Sequence, residues 1–508
     1  MTIDPNTLIN TKAPPTGGTL LALEAWQSFD YYHSRPYPAH AFGPQQWPLD
    51  KGPVPTPLPY AKILIDEGAE FMYRGGPPSF DVPGNPDATT LLQQIIETNG
   101  LASRWVPLAV RAGNIGTLAA KWSYDANDED CPIRIAFLSV PEECRVWFDP
   151  HDQTRMLMAR VQYPYQDPAD GKWKYFREEW TAEEWVTYHP KDAGSSTATS
   201  AASLAGYTQN FGDGDGWEVD QRLTNDFGVI PIVLIKNRVV EGMPMGAGDC
   251  WGSFRLMDRL ALTMHGEDRA SQLHSDPNLV ITNATLGNSG GLIPGEPLEV
   301  NNSDPEKSAD AKLLEPSGTA RQYAHQTMDR WQSLLYKQVG MSEVDPATVT
   351  NKGNLTKAVF EMLYGRTIAT CNHKRTQWGQ GGMAIFFRKM LIGLANHGDV
   401  KEVRSIDRDL DVNVIWPDYF EATPDDIKAI SDRTMGQISG GVLPLERGAK
   451  RIAKAEGMPD ADIEDLLEEL KAMPPKSAAI APGEVTQAPD VNENQEADVV
   501  LDDATVAG

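Results

Sequence analysis

The stretch Asn354–His397 constrains this chain more than any other feature. It carries an almost unbroken helical periodicity over 44 residues, where a globular helix averages about 11–12. A helix that long outruns a single small domain, so several elements must dock along it. Its internal Gly379, Gly381 and Gly382 predict a kink, because glycine weakens the helix locally. It is not a membrane span. No apolar run in the chain approaches the ~18–20 residues needed to cross a bilayer; the longest, Val229–Ile235, is strand-sized and contains Pro231.

Two more helices precede it. Asp249–His274 carries Trp251, Phe254, Met257, Ala261 and Met264 at helical spacing, and Asp276-Pro277 ends it. Thr319–Val339 carries Tyr323, Thr327, Trp331, Leu334 and Gln338 along one side, and Gly340 stops it. Between them, Asn278–Ser317 is full of Gly, Pro and Asn and reads as irregular. Met341–Gly353 reads as a loop. Asp249–His397 is therefore helix, excursion, helix, loop and long helix, and we expect it to be the functional centre.

The first half is mixed. Residues 1–57 form a Pro-, Gly- and aromatic-rich arm, with Trp26, Phe29, Tyr31 and Tyr32 available to pack on this chain or on a neighbouring copy. Tyr60–Phe71, Ala88–Asn99 and Trp105–Leu118 have one-sided apolar patterns and are predicted helices. Alternation then takes over at Ile133–Phe137, Arg145–Phe148, Met156–Tyr163, Trp173–Trp180 and Trp185–Tyr188. That is the period of an antiparallel sheet. Asp192–Gly206 is a linker or long hairpin tip, and Gly228–Ile235 is a buried strand whose Pro231 marks an edge or bulge. Leu410–Trp416 alternates once more. Thr423–Met473 reads as three helices, opened by Thr423-Pro424-Asp425-Asp426, a cap followed by Pro and acids in the first turn. The tail 474–508 holds seven acids against the single base Lys476 and is expected to be disordered.

Charge narrows the function classes. The formal net charge is −26. Such a surface repels DNA over most of its area and cannot wrap it by neutralising phosphates, although repulsion also prevents sticking. The exception lies between Asn351 and Lys389, where Lys352, Lys357, Arg366, Lys374, Arg375, Arg388 and Lys389 face one acid, Glu361. That cluster reads equally as solvated or ion-paired helix and as bases near a polyanion; Lys352 and Lys357 flank the loop and are best placed for the second role. Cys131, Cys144, Cys250 and Cys371 form no CxxC pair, so reduced thiols are expected rather than zinc. The N-terminus shows no signal-peptide core, and a soluble compartment is expected.

Catalytic motifs do not assemble. Gly287-Asn288-Ser289-Gly290-Gly291 fits G-x-S-x-G, but no helix follows, and the elbow needs strand, turn and helix. Asp213–Gly216 lacks the oxygen spacing of a calcium loop, and Asp125–Asp130 lacks its glycine. Both read as turns. No G-x-x-x-x-G-K-[ST] occurs, so any ATP-driven work falls to another chain. A large acidic hydrolase acting on carbohydrate is the competing class, suggested by 13 Trp and many carboxylates. Against it, the tryptophans scatter over helices and strands, and no carboxylate pair has a site around it. Another virion connector or scaffold protein is the third reading.

The order of elements, together with several local strips, resembles the portal proteins of tailed double-stranded DNA bacteriophages, from about Tyr60 to Met473. Leu58–Asp66 and Phe71–Pro78 look like the family's first wing helix and the turn after it. Ile133–Asp149, with Val146-Trp147-Phe148-Asp149-Pro150, is similar to its wing strands. Asp226-Phe227-Gly228-Val229-Ile230-Pro231-Ile232-Val233 through Asn237 looks like its "G-x-[IV]-P-[IV]-V … N" strand. Asn351–Val359 lies where the family opens its long helix. Gln437–Glu446 is similar to its "G-x-[IL]-S-x-E-T-A" crown turn, with an insertion and without the Thr-Ala.

The resemblance implies an α+β fold with a mixed α/β wing, a two-helix stem, a small clip, a long kinked wing helix and a helical crown, in a subunit of a ring oligomer. Residues 1–57 are then the arm, 58–246 the first part of the wing and 247–276 a stem helix. The clip is 277–318, the second stem helix 319–341, and the tunnel loop 342–353. Residues 354–420 are the long helix and wing completion, 421–473 the crown, and 474–508 the acidic tail. It implies a structural role without catalysis or cofactor, as a ring of twelve at one capsid vertex. Double-stranded DNA passes through its channel during packaging and ejection. Partners would be the major capsid protein, a large terminase ATPase and a head–tail adaptor, with no membrane, and the protein would reside in the virion after assembly in the host cytoplasm. DNA contact would fall to Lys352, Asn354 and Lys357, and terminase or adaptor contact to Asn288, Ser289, Glu296 and Glu299 of the clip.

Overall fold

Where helical periodicity gives way to alternation, the chain changes from packed helices to a layered pair of sheets. A computed structural model describes Ser28, residues 31–33 and residues 58–472, apart from 129, 141–142, 153, 193–215, 242, 276–277, 283, 287–299, 303–309, 315–318, 345–356, 401–402, 404–409, 421–423, 457 and 459. The chain divides into two compact units, residues 1–423 and 424–508.

The first unit opens with α1 (Tyr60–Met72), a short strand β1 (Ser79–Asp81), α2 (Pro86–Thr98) and α3 (Leu101–Ile115). Local chemistry sets these boundaries. The Asn85 side chain accepts the Ala88 N–H at 3.0 Å, Pro86 occupies the first turn and Asp87 faces the helix dipole. Gly116, at a φ of 89°, closes α3. The predicted third helix ran to Leu118; instead Thr117–Tyr124 is strand β2. Its Leu-Ala-Ala opening is compatible with helix, and only burial on both faces makes it a strand.

β2 is the centre of a three-stranded antiparallel sheet ordered β10-β2-β3, with β3 Ile133–Ser139 and β10 Ile232–Lys236. Its residues alternate between two cores. Leu118, Ala120, Trp122, Val233 and Ile235 join the helices on one side. Ala119, Ile232 and Leu234 face the second sheet on the other. That two-sided burial explains the continuous apolar run at 232–235, since a strand covered on both faces shows no alternation. β10 is an edge strand with Pro231 just before it, as its sequence predicts. The free edge of β3 is blunted by side chains from the helices. Asn99 pairs with both Ile133 O and Ile135 N, and Arg111 donates to Phe137 O at 3.0 Å.

The second sheet runs β4 (Cys144–Phe148), β5 (Met156–Gln166), β6 (Trp173–Trp180), β7 (Glu184–Tyr188) and β9 (Val219–Thr224), with β8 (Lys191–Asp192) also on β6. β9 had no signal of its own: all six residues are exposed and polar or isolated apolar. Asp125 and Asp128 form turns as expected, Asp125 accepting the Asn127 N–H and Asp128 the Cys131 N–H.

After β11 (Arg238–Val239) and β12 (Gly246–Ala247) come α4 (Phe254–Ser275) and α5 (Thr319–Val339), packed together. The predicted irregular stretch between them is corrected by two antiparallel ladders. β13 (Asn278–Thr282) pairs with β16 (Asp310–Leu314), and β14 (Ala284–Leu286) with β15 (Val300–Asn302). Leu279–Thr282 reads as a possible strand and falls in β13; the Gly- and Pro-rich composition hid the other three, of three to five residues.

The long helical pattern becomes α6 (Lys357–Leu363), α7 (Gly365–Trp378), a π-helical turn Gly379–Met383 and α8 (Ala384–His397). The π-helical turn, the one departure from α geometry that the predicted glycines mark, falls at Gly379, Gly381 and Gly382. β17 (Asn413–Ile415) crosses there, and a Cβ on Gly379 would sit 2.9 Å from Trp416 Nε1 and 3.1 Å from Val414 Cγ1. β17 pairs with β1, not with either larger sheet. The main core gathers Trp105, Trp122, Trp378, Phe386 and Phe387, all fully buried. Aromatics of this size dominate core energetics.

The second unit holds α9 (Pro424–Ser439), α10 (Leu445–Ala455) and α11 (Asp460–Ala472). These are the three predicted helices, and Pro424 stands at the first position of α9.

Candidate functional site

The helical hairpin α4–α5 and its root are the most distinctive part of the first unit. At the root, Phe254, Met257 and Leu260 of α4 and Leu335 and Val339 of α5 are buried against Ala61, Leu64 and Ile65 of α1. Beyond Ala261 and before Trp331, no described residue of either helix is buried. At 1.5 Å per residue that outer half extends α4 by roughly 20 Å. It carries exposed apolar groups, Met264 and the 66% exposed Tyr323, and Leu334 is exposed nearer the root.

The root is fastened by a buried polar node. Asp249, five residues before α4, takes the Lys374 ammonium of α7 at 2.6 Å, with their side chains 4% and 8% exposed. Its other oxygen accepts the Asn237 amide at 2.8 Å, and its N–H donates to Gly113 O at 2.7 Å. A Cβ on Gly113 would lie 2.6 Å from the Asp249 carboxylate, so only glycine admits the acid this close to α3. One salt bridge thus joins the end of α3, the residue after β10, the entry to α4 and the middle of α7. A buried ion pair is retained only when both charges are also hydrogen-bonded, and Asp249 meets that condition.

The neighbouring Arg375 does a different job. It donates to Met72 O at 2.8 Å, Pro417 O at 2.7 Å and Arg74 O at 3.1 Å, and lies 3.7 Å over the Tyr419 ring. It satisfies carbonyls at the end of α1, which a helix terminus leaves open. Burial lowers its pKa and pushes the nearby Cys371 thiol up to about 11.

These contacts decide much of the basic cluster seen in the sequence. Lys374 and Arg375 are buried and occupied. Lys357 pairs with Asp418 at 2.8 Å, and Arg366 donates to Lys337 O. Lys389 is half-buried, and burial lowers its pKa. Arg388 is exposed. The ion-pairing alternative therefore holds for Lys374 and Lys357. Of the three predicted DNA-contact residues, Lys357 begins α6, while Lys352 and Asn354 lie outside the described residues. Asn288, Ser289, Glu296 and Glu299, and the G-x-S-x-G strip, lie between β14 and β15, also outside them.

The aromatic arm, where described, packs on its own chain. Tyr31 is buried against Phe254 at a ring separation of 4.9 Å and donates to Asp258. Ser28 donates to Asn114 at 2.7 Å, and Tyr32 to Asp66 at 2.7 Å. The arm thus straps the root of α4. Sequence reasoning missed Asp249, Asn237 and Gly113 as a unit. The signals were present: Asn237 closes a recognised strip, and Asp249 opens the predicted helix Asp249–His274, which in the structure begins at Phe254. Among the described residues, no group of acids, histidines and cysteines is arranged to hold a metal, and no helix is long and apolar enough to cross a membrane.

The family model described as phage portal protein, SPP1 Gp6-like, matches residues 29–475. A search of curated proteins finds no match. Among solved structures, a chain in the virion of a native gene transfer agent particle is 12% identical with a TM-score of 0.38, over 87% of this chain and 99% of that one. A chain in the neck of a native gene transfer agent particle, computed with C12 symmetry, is 12% identical with a TM-score of 0.37, over 79% and 91%.

Proposed function

The chain belongs to the SPP1 Gp6-like family of phage portal proteins, and on that premise we propose that it forms a ring of twelve copies at one capsid vertex, the channel through which double-stranded DNA enters and leaves the head. In this reading α4 and α5 are the stem, the ladders β13–β16 and β14–β15 with the residues between them are the clip, and 342–353 is the tunnel loop. The helices α6 to α8 are the long wing helix, and α9–α11 the crown. The clip, through Asn288, Ser289, Glu296 and Glu299, meets the terminase ATPase and later the head–tail adaptor. The role is structural, and the protein resides in the virion, beside the major capsid protein.

The observation that carries this reading is the hairpin buried only at its root. Helices in proteins draw most of their stability from packing an apolar face, and the described residues in the outer halves of α4 and α5 bury no side chain. Exposed Met264 and Tyr323 need neighbours, and side-by-side copies in a ring supply them. The net charge of −26 suits a channel wall that lets DNA slide. Lys352, Asn354 and Lys357 are the proposed phosphate contacts; Lys357 reaches DNA by exchanging Asp418 for phosphate.

Native mass spectrometry and negative-stain imaging test the ring. Closed rings are expected, and a chain that stays monomeric at every salt and protein concentration sinks the reading. For the loop, Lys352→Ala/Lys357→Ala is expected to assemble normally but package poorly; unchanged packaging refutes their DNA role.

A further inference from the structure

The terminal unit carries two stripes of opposite charge. On α10, Arg447, Lys450, Arg451 and Lys454 are all exposed. At about 100° per residue they fall within roughly 100° of arc, on the side away from Gly448, which lies against Ile438 and Thr434 of α9. The chain is otherwise strongly acidic, so four bases on one helical stripe are conspicuous.

The next helix is the opposite. On α11, Asp462, Glu464, Asp465, Glu468 and Glu469 are exposed, on the face away from the buried Ile463. Both stripes span eight residues, Arg447 to Lys454 and Asp462 to Glu469, or about 10 Å of helix each. Among the described residues, no ion pair joins Arg447, Lys450 or Arg451 to an acid of the unit; Arg451 reaches only the Gln437 amide oxygen, at 3.4 Å. At the α9–α10 turn that leads into the basic stripe, Val442 is 77% exposed.

A unit with one face basic and another acidic, matched in length, is complementary to a second copy of itself in a head-to-tail arrangement. A contact of that kind is heterologous, and heterologous contacts generate rings where the rotation between copies closes. We propose that the basic stripe of α10 in one copy docks on the acidic face of α11 in the next, with Val442 of the preceding turn adding apolar contact. The charges set the direction and register of the contact more than its raw strength. This rests on the ring reading and names the surface by which the terminal units meet. A nucleic acid is the other polyanion the basic stripe could take, but the acidic face beside it would repel phosphate, whereas another copy answers both stripes at once.

Charge reversal tests the pairing in the full-length chain. Lys450→Glu/Arg451→Glu and, separately, Asp465→Lys/Glu468→Lys are compared with the chain carrying all four changes. Ring fraction is read by native mass spectrometry against protein and NaCl concentration, and helix content by circular dichroism. Each pair alone is expected to raise the concentration for half-assembly about tenfold or more, through like charges brought face to face. The four-fold variant is expected to return to within about threefold of wild type. Wild-type rings that ignore both pairs overturn this proposal alone, as does a folded swap variant that does not recover. So does a basic-stripe variant that loses binding to a fluorescent DNA duplex while its rings are unchanged. A wild-type chain that never forms rings overturns the ring reading and this proposal with it.

Discussion

The root of the α4–α5 hairpin and its outer half are the same two helices in opposite situations. At the root, charge is buried, and its partners lie within the chain: Asp249 holds Lys374 and Asn237, and Arg375 is spent on three carbonyls. In the outer half, apolar side chains stand exposed, and nothing described in the chain covers them. The difference separates what one copy completes for itself from what it leaves for another. Substitutions at the root are therefore expected to act on the folding of the single chain. Substitutions along the outer half are expected to act on assembly.

The sharpest way to break that contrast is Lys374→Met. It strands the Asp249 carboxylate in the interior, and unfolding of the dilute monomer in urea is expected to show a loss of about 3–5 kcal/mol. Adding Asp249→Asn should recover part of that loss, because the uncompensated charge is gone. A loss under about 1 kcal/mol for Lys374→Met would mean that the pair is not a buried one. Next comes Arg375→Lys. A lysine keeps the charge but lacks the planar fork that reaches Met72, Arg74 and Pro417 together, so about 1–3 kcal/mol is expected from carbonyls left unpaired. Thermal unfolding that matches wild type would show that these bonds contribute nothing net.

On the other side of the comparison, Met264→Ser and Tyr323→Ser should each change monomer stability by no more than about 0.5 kcal/mol. Their effect is expected in the ring fraction seen by native mass spectrometry, which should fall. A large monomer effect with intact rings would reverse the assignment. The smallest effect is a pH dependence in the β4–β9 sheet. Burial pushes the Glu179 carboxyl up, but Arg177, Arg160 and Tyr188 outweigh it and hold the pKa below the ordinary 4.5. A depressed carboxylate stabilises the fold fully above the unfolded value and loses that contribution as pH falls through the folded one. Glu179→Gln should therefore flatten the decline in stability below about pH 4.5, read from urea midpoints; an unchanged slope would show that other carboxylates carry it.

Much of this fold is legible along the chain. Thr319–Val339 and Trp173–Trp180 are found at their predicted bounds, and Asn354–His397 leaves α geometry at its glycines. Periodicity sets such elements, because one face of each must be apolar whatever it packs against. β2, β9 and the short ladders after α4 were not legible. The first two residues of β2 read as the end of the helix before it, β9 has no apolar face, and strands of three to five residues carry too little pattern to be paired into ladders. For the site, the basic cluster was visible as composition but not as geometry. Spacing along a helix tells which bases share a face; it does not tell that Lys374 meets an acid 125 residues earlier.

The sequence by itself determined the order of elements, the break in the long helix, the acidic balance and the family resemblance. All of these follow from local preference or from summed charge. Only the tertiary structure decided which charges are interior and which remain for partners. That depends on what packs across from each side chain. Gly113 had to come within reach of Asp249, and α7 had to pass beside both, before Lys374 could become a buried tie. Arg447, Lys450 and Arg451 of α10 meet no such acid among the described residues, and they stand on the surface.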